Sequence, residues 1–375
     1  NKWNEKQNLN VSPKFNKQIY TNNNSRLSQS QVGDTQLNVD ESTVTNVNRS
    51  NFKLKAIYDV KLDSVNSLKI TANSNFYDTE SDEFTNGTTT GSDGILKNKQ
   101  QRAFTTNSDK AVLFTSVLFK HKFAKPRRTF TVNSSWNMMN TNSNNFLKSS
   151  NESYVNGVFD TKNEIDQNKI GDKTTKNFSA SFSYSEPIAK QFSLQFSYQI
   201  AFDKGKNNYF TYDYSANTGQ YDQLVASLSN EFDQAIITHR PNLKLSYNAK
   251  KINYSIGSGF GFTSFDLLDK TMNKEYKRSY TNFFPSASFS YKYKSNSNLR
   301  VNYYGRTIQP TLDQLQPLRN NQDFFNQTLG NPDLKQSFNN RIEIFQSSYD
   351  MLTETQFYQG IYFNTTTNAI IYSSI

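Results

Sequence analysis

The clearest pattern in the chain is a pair of alternating segments joined by a short turn, between residues 176 and 202. Apolar residues occupy every second position of both segments: Phe178, Ala180, Phe182 and Tyr184, then Phe192, Leu194, Phe196, Tyr198, Ile200 and Phe202. Because successive side chains of a strand point to opposite faces, each segment predicts a strand with one apolar and one polar face. The turn at residues 186–190 is short enough to join the two strands as an antiparallel hairpin.

The same hairpin pattern recurs along the chain. Short turns are predicted at residues 62–66, 124–127, 186–190, 248–251, 295–297 and 350–352. Long polar segments separate the hairpins, for example residues 78–109, 140–175 and 307–335. In an antiparallel sheet every second connection lies at the same end, so the short turns share one end and the long loops share the other.

This sorting of connections by length is typical of an outer-membrane β-barrel with short periplasmic turns and long extracellular loops. Each arm is about as long as the nine to eleven residues that a tilted strand needs to cross a bilayer. We therefore predict an all-β, transmembrane, antiparallel up-and-down barrel, with about twelve strands of a larger barrel visible. Residues 51–375 form the barrel segment, and residues 1–50 are a polar loop or the remnant of a preceding strand.

Composition agrees with strands that face lipid on one side and water on the other. The mean hydropathy is −0.79, yet the chain has 30 Phe and 22 Tyr, too many aromatic residues for a disordered chain. No apolar run reaches the length of a membrane-spanning helix, about eighteen residues, so any crossing must use strands. The alternative is a soluble extracellular β-protein whose apolar faces pack against each other.

The charge and the reactive residues exclude several function classes. The net charge of +10 is spread along the sequence and mixed with acids, so it does not indicate a nucleic-acid surface. The chain has no Cys, which removes disulfides and thiolate chemistry, and His121 and His239 lie far apart. It also lacks the common catalytic and phosphate-binding motifs. We expect no enzyme activity, no cofactor and no metal site; the acidic residues near 80–83 and 266–269 are expected to be solvated loop charges.

The two termini predict a fragment of a longer protein. Asn1 is not a start methionine, no secretory signal opens the chain, and the chain stops directly after an apolar run. We therefore expect the barrel to be incomplete at its ends.

Two segments are candidates for ligand contact. The first is rich in aromatic residues, which either stack on a ligand or extend strands above the bilayer: Tyr209, Phe210, Tyr212, Tyr214 and Tyr221. The second, residues 304–335, has prolines that forbid a regular central strand and a turn signal at residues 330–332. We expect it to fold back on the barrel or into its lumen, with a helical turn capped by Thr311. Its candidate residues are Arg306, Gln309, Pro310, Leu315, Pro317, Gly330, Asn331 and Pro332.

Seven stretches of the chain resemble one known family. They are LDSVNSLKI (62–70), FAKPRRTFTV (123–132), YSEPIAKQFSLQFSY (184–198), YDYSANTGQYDQL (212–224), LSNEF (228–232), FFPSASFSYKYKSNSNLRVNYYGRTIQPTLDQLQPL (283–318) and LGNPDLKQSF (329–338). Together they are similar to the outer-membrane β-barrel proteins of the Bacteroidota that are classed with the TonB-dependent receptors.

The resemblance implies a plug domain inside a larger barrel, a location in the cell outer membrane, and import energised by an inner-membrane TonB complex. Its other implied partners are outer-membrane lipid and a surface lipoprotein. Neither a plug nor a TonB-contacting segment is found in residues 1–375. The leading hypothesis is thus the barrel of a receptor that imports a bulky nutrient. The alternative is a barrel that acts through its extracellular loops as an adhesin or scaffold.

Overall fold

The computed structural model describes residues 2–4, 6–32, 35–315, 319–320 and 328–371. Within these ranges most of the chain is strand, with a 3₁₀ turn at Ala226–Leu228 and one short helix, α1 (Leu312–Leu315). The strands are β1 (Lys2–Asn4), β2 (Gln7–Val32), β3 (Thr35–Lys61), β4 (Asn66–Gly91), β5 (Leu96–Lys122), β6 (Thr129–Val155), β7 (Val158–Pro187), β8 (Phe192–Ser215), β9 (Gln220–Leu224), β10 (Asn230–Asn248), β11 (Ile252–Asp269), β12 (Lys274–Lys294), β13 (Ser297–Ile308), β14 (Arg319–Asn320), β15 (Thr328–Leu329), β16 (Ser337–Asp350) and β17 (Thr355–Thr367).

One large antiparallel sheet contains nearly all the described strands. Its order is β1 to β8, then β10 to β13, then β16 and β17, with β9 attached to β8. β14 and β15 form a separate small pair. The prediction of an all-β, up-and-down antiparallel fold is confirmed, and the path through the described residues has fourteen strands rather than about twelve.

The register aligns the apolar positions of neighbouring strands on one face, which we call the apolar face. Phe178 of β7 lies opposite Phe202 of β8, and Phe196 of β8 lies opposite Leu243 of β10. The rings of Phe178 and Phe202 are 6.2 Å apart between centroids. Most of the large side chains of this band are exposed, so the strands contribute a continuous apolar surface.

The opposite side of the sheet, the polar face, carries the buried residues. The most deeply buried side chains all lie on it: Thr85, Leu147, Lys169, Thr211, Phe232, Leu267 and Asp269. Because one face is open and the other is crowded, the sheet curves with its polar face inside. This is the arrangement that a barrel with a polar interior requires.

The strands run far beyond the apolar band at one end, which we call the far end; the other is the turn end. At the turn end the connections are short, at residues 62–65, 123–128, 188–191, 249–251, 295–296 and 351–354. At the far end, the segments predicted as long loops at residues 78–109 and 140–175 are mostly strand, closed by tight connections at 92–95 and 156–157. Apolar and polar residues do not alternate there, because both faces of the strands are polar. The strands nevertheless continue to pair through their backbones.

The first part of the chain belongs to the same sheet. Residues 7–61, where the sequence indicates a polar loop or a strand remnant up to about residue 50, form the hairpin of β2 and β3. Their pairing runs without interruption from Gln7 opposite Val60 to Val32 opposite Thr35.

Candidate functional site: a loop folded onto the polar face

The connection from β13 to β16 spans residues 309–336, and its described parts at 309–315 and 328–336 fold back onto the polar face at the far end. Leu315, at the end of α1, is only 3% exposed and packs with Phe232, Phe265 and Leu267. Leu334 packs against the same cluster. Phe232, Phe265 and Leu267 are large and apolar on a face that is otherwise polar, so these three side chains form a specific seat for the loop.

Arg278 of β12 ties the second half of this loop to the sheet. Its Nη1 donates a hydrogen bond of 2.6 Å to the carbonyl of Leu334, and its Nη2 donates to the carbonyl of Pro332. The carboxylate of Asp333 lies 3.4 Å from the same guanidinium. A planar fork with several donors suits this clamp, which Lys does not reproduce.

A side-chain amide pair adds a second tie. The amides of Asn282 on β12 and Gln336 hydrogen-bond to each other in both directions. Gln309, at the start of the loop, donates to Gln336 over 3.4 Å. Both ends of the connection therefore meet beside β12.

Inside the loop the predicted helical turn is present. The Thr311 hydroxyl accepts a hydrogen bond from the backbone N–H of Gln314 at 3.3 Å. The backbone N–H of Thr311 donates to Gln314 Oε1 at 2.9 Å. This reciprocal pair is a capping box. The backbone N–H of Asn331 donates to the backbone carbonyl of Gln314 over 2.7 Å. This bond joins the turn around Gly330 and Pro332 to α1.

The other candidates of this segment have different surroundings. Pro310 is buried, Asn331 and Arg306 are exposed, and Gly330 and Pro332 are half-buried. Pro317 lies outside the described residues. Arg306 belongs to β13 on the polar face and has an exposed side chain.

The aromatic candidates lie in strands beyond the apolar band. Tyr209, Phe210, Tyr212 and Tyr214 belong to β8, and Tyr221 belongs to β9. Tyr209 is on the polar face opposite Gly171, and its surroundings raise the pKa of its hydroxyl to about 12 through burial. The other three candidates of β8, Phe210, Tyr212 and Tyr214, lie on the opposite face of the sheet from Tyr209. The five rings therefore do not form one surface.

Tyr221 is fixed by neighbours from three strands. Its ring centroid is 5.4 Å from that of Tyr214 and 5.5 Å from that of Phe146. Its hydroxyl donates to Asp166 Oδ1 over 2.7 Å, and burial together with this hydrogen bond raises its pKa to about 12. These contacts assign Tyr221 a role in joining β9 to β6 and β7.

Lys169 of β7 is a deeply buried basic side chain near this end, with 2% of its surface exposed. It lies on the polar face, opposite Asn145 and Thr211. Burial lowers its pKa to about 8, and the charge of Asp213 opposes that shift. The sequence alone gave no reason to single out this lysine.

Charge is sorted between the two faces of β10–β13 and β16. The polar face of these strands carries Arg240, Lys244, Lys274, Arg278, Lys292, Arg300, Arg306 and Arg341, against the acids Asp269 and Glu343. The apolar side carries Glu231, Asp233, Asp266, Glu275 and Asp350, against the base Lys277. Along the sequence these charges are mixed, because odd and even positions of one strand lie on opposite faces.

The described residues contain no group of His, Cys, Asp and Glu side chains that could hold a metal ion. None of their helices has the length and apolar character needed to cross a membrane.

Several solved structures match this chain at low identity. The translocator domain of the autotransporter NalP from Neisseria meningitidis is 11% identical, with 80% of this chain and 82% of that chain covered and a TM-score of 0.29. P. aeruginosa FpvA bound to an iron–pyoverdine complex is 9% identical, with 92% and 46% covered and a TM-score of 0.47. The alcaligin outer-membrane receptor FauA from Bordetella pertussis is 12% identical, with 92% and 51% covered and a TM-score of 0.37.

This chain therefore spans about half the length of FpvA and FauA, 46% and 51%. None of the curated proteins compared with it matches. The sequence model of one family does match, over residues 121–375, which is more than half of the chain. With its antiparallel up-and-down sheet and its exposed apolar band, the chain belongs to the outer membrane protein beta-barrel family and lies in the cell outer membrane.

Proposed function

We propose that this chain forms the barrel of an outer-membrane receptor of the TonB-dependent type, which imports a bulky nutrient by binding and passage and without catalysis. The observation that carries the proposal is the loop 309–336, seated on the polar face by Leu315 and clamped by Arg278. A loop held inside a barrel narrows the path and contacts whatever enters. A surface adhesin gains nothing from such a loop, because its binding surface lies outside.

The width of the sheet supports the same proposal. About eight strands enclose an interior that side chains can fill, whereas about sixteen to eighteen leave an aqueous channel and about twenty-two hold a plugged lumen. The described residues already supply fourteen strands along one path. Fourteen is well above the eight strands whose interior is filled by side chains, which supports a lumen wide enough for a bulky ligand.

The proposal names three partners. Outer-membrane lipid covers the apolar face. An inner-membrane TonB complex supplies energy, and a surface lipoprotein delivers the ligand at the far end, which is the extracellular one. The resemblance to the Bacteroidota receptors is the reason for proposing the last two.

The first experiment is the intact mass and N-terminal sequence of the native protein isolated from outer membranes. We expect a chain much longer than 375 residues, with a plug-like domain and a short TonB-contact segment before the barrel. A mature chain that begins near Asn1 would contradict energised import and would favour an adhesin or an open pore.

A second experiment tests whether the loop narrows the path. Cells that express the native protein with Arg278→Ala and Leu315→Ala should become more susceptible to vancomycin, a bulky antibiotic that the outer membrane excludes. Cells with Arg306→Ala should not, because Arg306 is exposed and does not hold the loop. Equal susceptibility of both strains, at equal amounts of folded protein, would remove the loop as a constriction.

A further inference from the structure

Only some of the basic residues of the polar face are neutralised by an acidic neighbour. Arg341 has Glu343 2.6 Å away, and Arg278 is occupied by the loop. Within the part of the chain that the structure describes, Arg240, Lys244 and Arg300 form no ion pair. Strands β10 to β13 therefore present unbalanced positive charge to the lumen.

Three of these charges lie at the depth of the apolar band. Arg240 lies between His239 and Pro241, which are on the apolar face, and Lys244 lies between Leu243 and Leu245. Arg300 occupies the equivalent depth between Leu299 and Val301. Charges at membrane depth are stable only where they line water or meet a partner, so these side chains line an aqueous path.

Lys244 and Arg300 share one groove on the polar face. It has a volume of about 400 Å³, and its other lining residues include Ser246, Asn253, Ser255 and Ser288. Hydroxyl and amide groups donate hydrogen bonds to anions as readily as to neutral ligands. The two cations make anions the better fit.

The walls of the path strengthen this field. A cleft lined by one sign of charge within a low-dielectric wall focuses the potential and concentrates ions of the opposite sign. The acids on the apolar side of the same strands, such as Asp233 and Asp266, lie across the sheet and beyond the band. They do not cancel the charge on the polar face.

We infer that the lumen is an electropositive path and that its ligand carries negative charge as carboxylate, phosphate or sulfate groups. The ligand class rests on the proposed import function, whereas the electropositive lumen does not. An acidic protein segment in the lumen would use the same charges, and the test separates this case from a soluble anion.

Residues 1–375 contain no Cys, so one introduced thiol reports the local potential once any Cys elsewhere in the native protein is replaced by Ser. Ser288→Cys places that thiol in the groove beside Lys244 and Arg300. In native full-length protein in detergent micelles, we would measure its reaction with an anionic and a cationic methanethiosulfonate. Relative to free cysteine, the anionic reagent should be favoured by about tenfold or more.

Charge variants in the Ser288→Cys background assign the effect. Adding Lys244→Glu and Arg300→Glu should abolish the preference for the anionic reagent. Lys250→Glu and Lys251→Glu make the same change of charge at the adjacent turn and should leave it intact. Heat-modifiable migration on gels verifies that every variant is folded.

Protection by a polymer then tests the ligand class. Dextran sulfate should slow modification of Ser288→Cys by a neutral methanethiosulfonate, and uncharged dextran of equal length should not. Equal rates for the anionic and cationic reagents would overturn the electropositive lumen. A preserved preference without protection by dextran sulfate would overturn the anionic ligand and favour an acidic protein segment as the partner of these charges.

Discussion

The guanidinium carbon of Arg240 lies 4.2 Å from the centroid of the Phe284 ring, and the two residues meet across the intervening strand β11. The register of His239 with Phe262 and of Asn242 with Gly259 puts Arg240 opposite Gly261, and Phe284 is paired with Gly259. With no side chain on these two positions, the arginine reaches diagonally over β11 to the aromatic ring. The contact is a cation–π interaction inside the lumen.

Gly261→Ala should destabilise the barrel at this contact. A Cβ at residue 261 would lie 2.5 Å from Phe284 Cε2, so the ring must move and the stacking with Arg240 is lost. Overpacking of this kind costs about 1–3 kcal/mol. The measurement is thermal unfolding in detergent micelles, followed by circular dichroism.

Gly205→Ala is the matched control, since Gly205 also lies on the polar face. The nearest atom to a Cβ there is Gln234 Cβ at 3.7 Å, an ordinary contact. Ala is the better residue in a strand by about 0.5–1 kcal/mol, so this variant should be as stable as the wild type or more so. Equal destabilisation by both substitutions would show that Phe284 is not the cause.

Arg278→Ala should release the second half of the loop 309–336 from β12. The substitution removes the donors to the carbonyls of Leu334 and Pro332 and leaves these groups without that partner. We expect a protease to cleave within residues 309–336 at least about tenfold faster, which corresponds to the loss of about 1.4 kcal/mol from the closed loop. The measurement is limited proteolysis of the protein in micelles, with mass spectrometry of the fragments.

Two further variants complete this test. Arg278→Lys keeps the charge but lacks the planar fork, so it should resemble Arg278→Ala more than the wild type. Arg306→Ala removes an exposed arginine of the preceding strand and should leave cleavage unchanged. If Arg278→Lys is fully protected, charge rather than the two carbonyl contacts holds the loop.

The sequence was sufficient for the fold within the apolar band. There the alternation of residues such as Phe178 and Phe182 with serines leaves one register in which apolar side chains align. Beyond the band the prediction failed, because both faces are polar and hydrophobic alternation vanishes. Asn156-Gly157 was the missed signal: both have positive φ, 52° and 78°, and they form the two-residue turn between β6 and β7.

The candidate site was predicted in part. Prolines and the capping pattern predicted a loop in residues 304–335 with a helical turn at Thr311; the helical turn and its cap are confirmed, while residues 304–308 belong to β13. Its anchor, Arg278, lies on another strand, so only the tertiary fold brings it to Pro332 and Leu334. The positive charge of the polar face follows from the strand register. Arg240, Lys244 and Arg300 alternate with residues of the apolar face, so all three lie on the polar face.

Because of the buried Lys169, we expect the free energy of unfolding to rise with pH above neutrality. Burial lowers its pKa from 10.5 to about 8, so between these values the unfolded chain binds more protons than the folded one. The cost of the buried charge is fully present below about pH 8 and disappears as the pH approaches 10.5. Lys169→Met should therefore stabilise the barrel at pH 7, by about 3 kcal/mol at most, and the gain should shrink by pH 10.5.

The measurement is the difference in unfolding midpoint between Lys169→Met and the wild type from pH 7 to pH 10.5 in micelles. We compare the two proteins by difference because tyrosines and other lysines titrate over the same pH range in both, and the difference cancels their contribution. Lys148→Met, which removes a lysine with 65% of its side chain exposed, should give a nearly constant difference. A gain from Lys169→Met that does not change with pH would show that its charge is not the cost.

At the turn end, Glu186 stabilises the fold in its charged form, so we expect the free energy of unfolding to fall at acid pH. Its carboxylate accepts hydrogen bonds from Arg128 and Lys125, at 2.7 Å and 2.6 Å, and from the Tyr184 hydroxyl at 2.7 Å. These bonds, with that of Arg128 the largest cause, lower its pKa from 4.5 to about 2. Its stabilisation is therefore complete above about pH 4.5 and is lost as the pH falls towards 2.

Glu186→Gln should destabilise the barrel at pH 6 and make less difference at each step of acidification, because protonation of the wild type removes the same charge. The measurement is the unfolding midpoint of both proteins in micelles between pH 6 and pH 2.5. Glu164→Gln is the control: Glu164 pairs with Lys162 at 2.5 Å, but 67% of its side chain is exposed, so little change is expected at any pH. A deficit of Glu186→Gln that stays constant down to pH 2.5 would mean that shape, rather than the charged hydrogen bonds to Arg128 and Lys125, joins the two neighbouring turns.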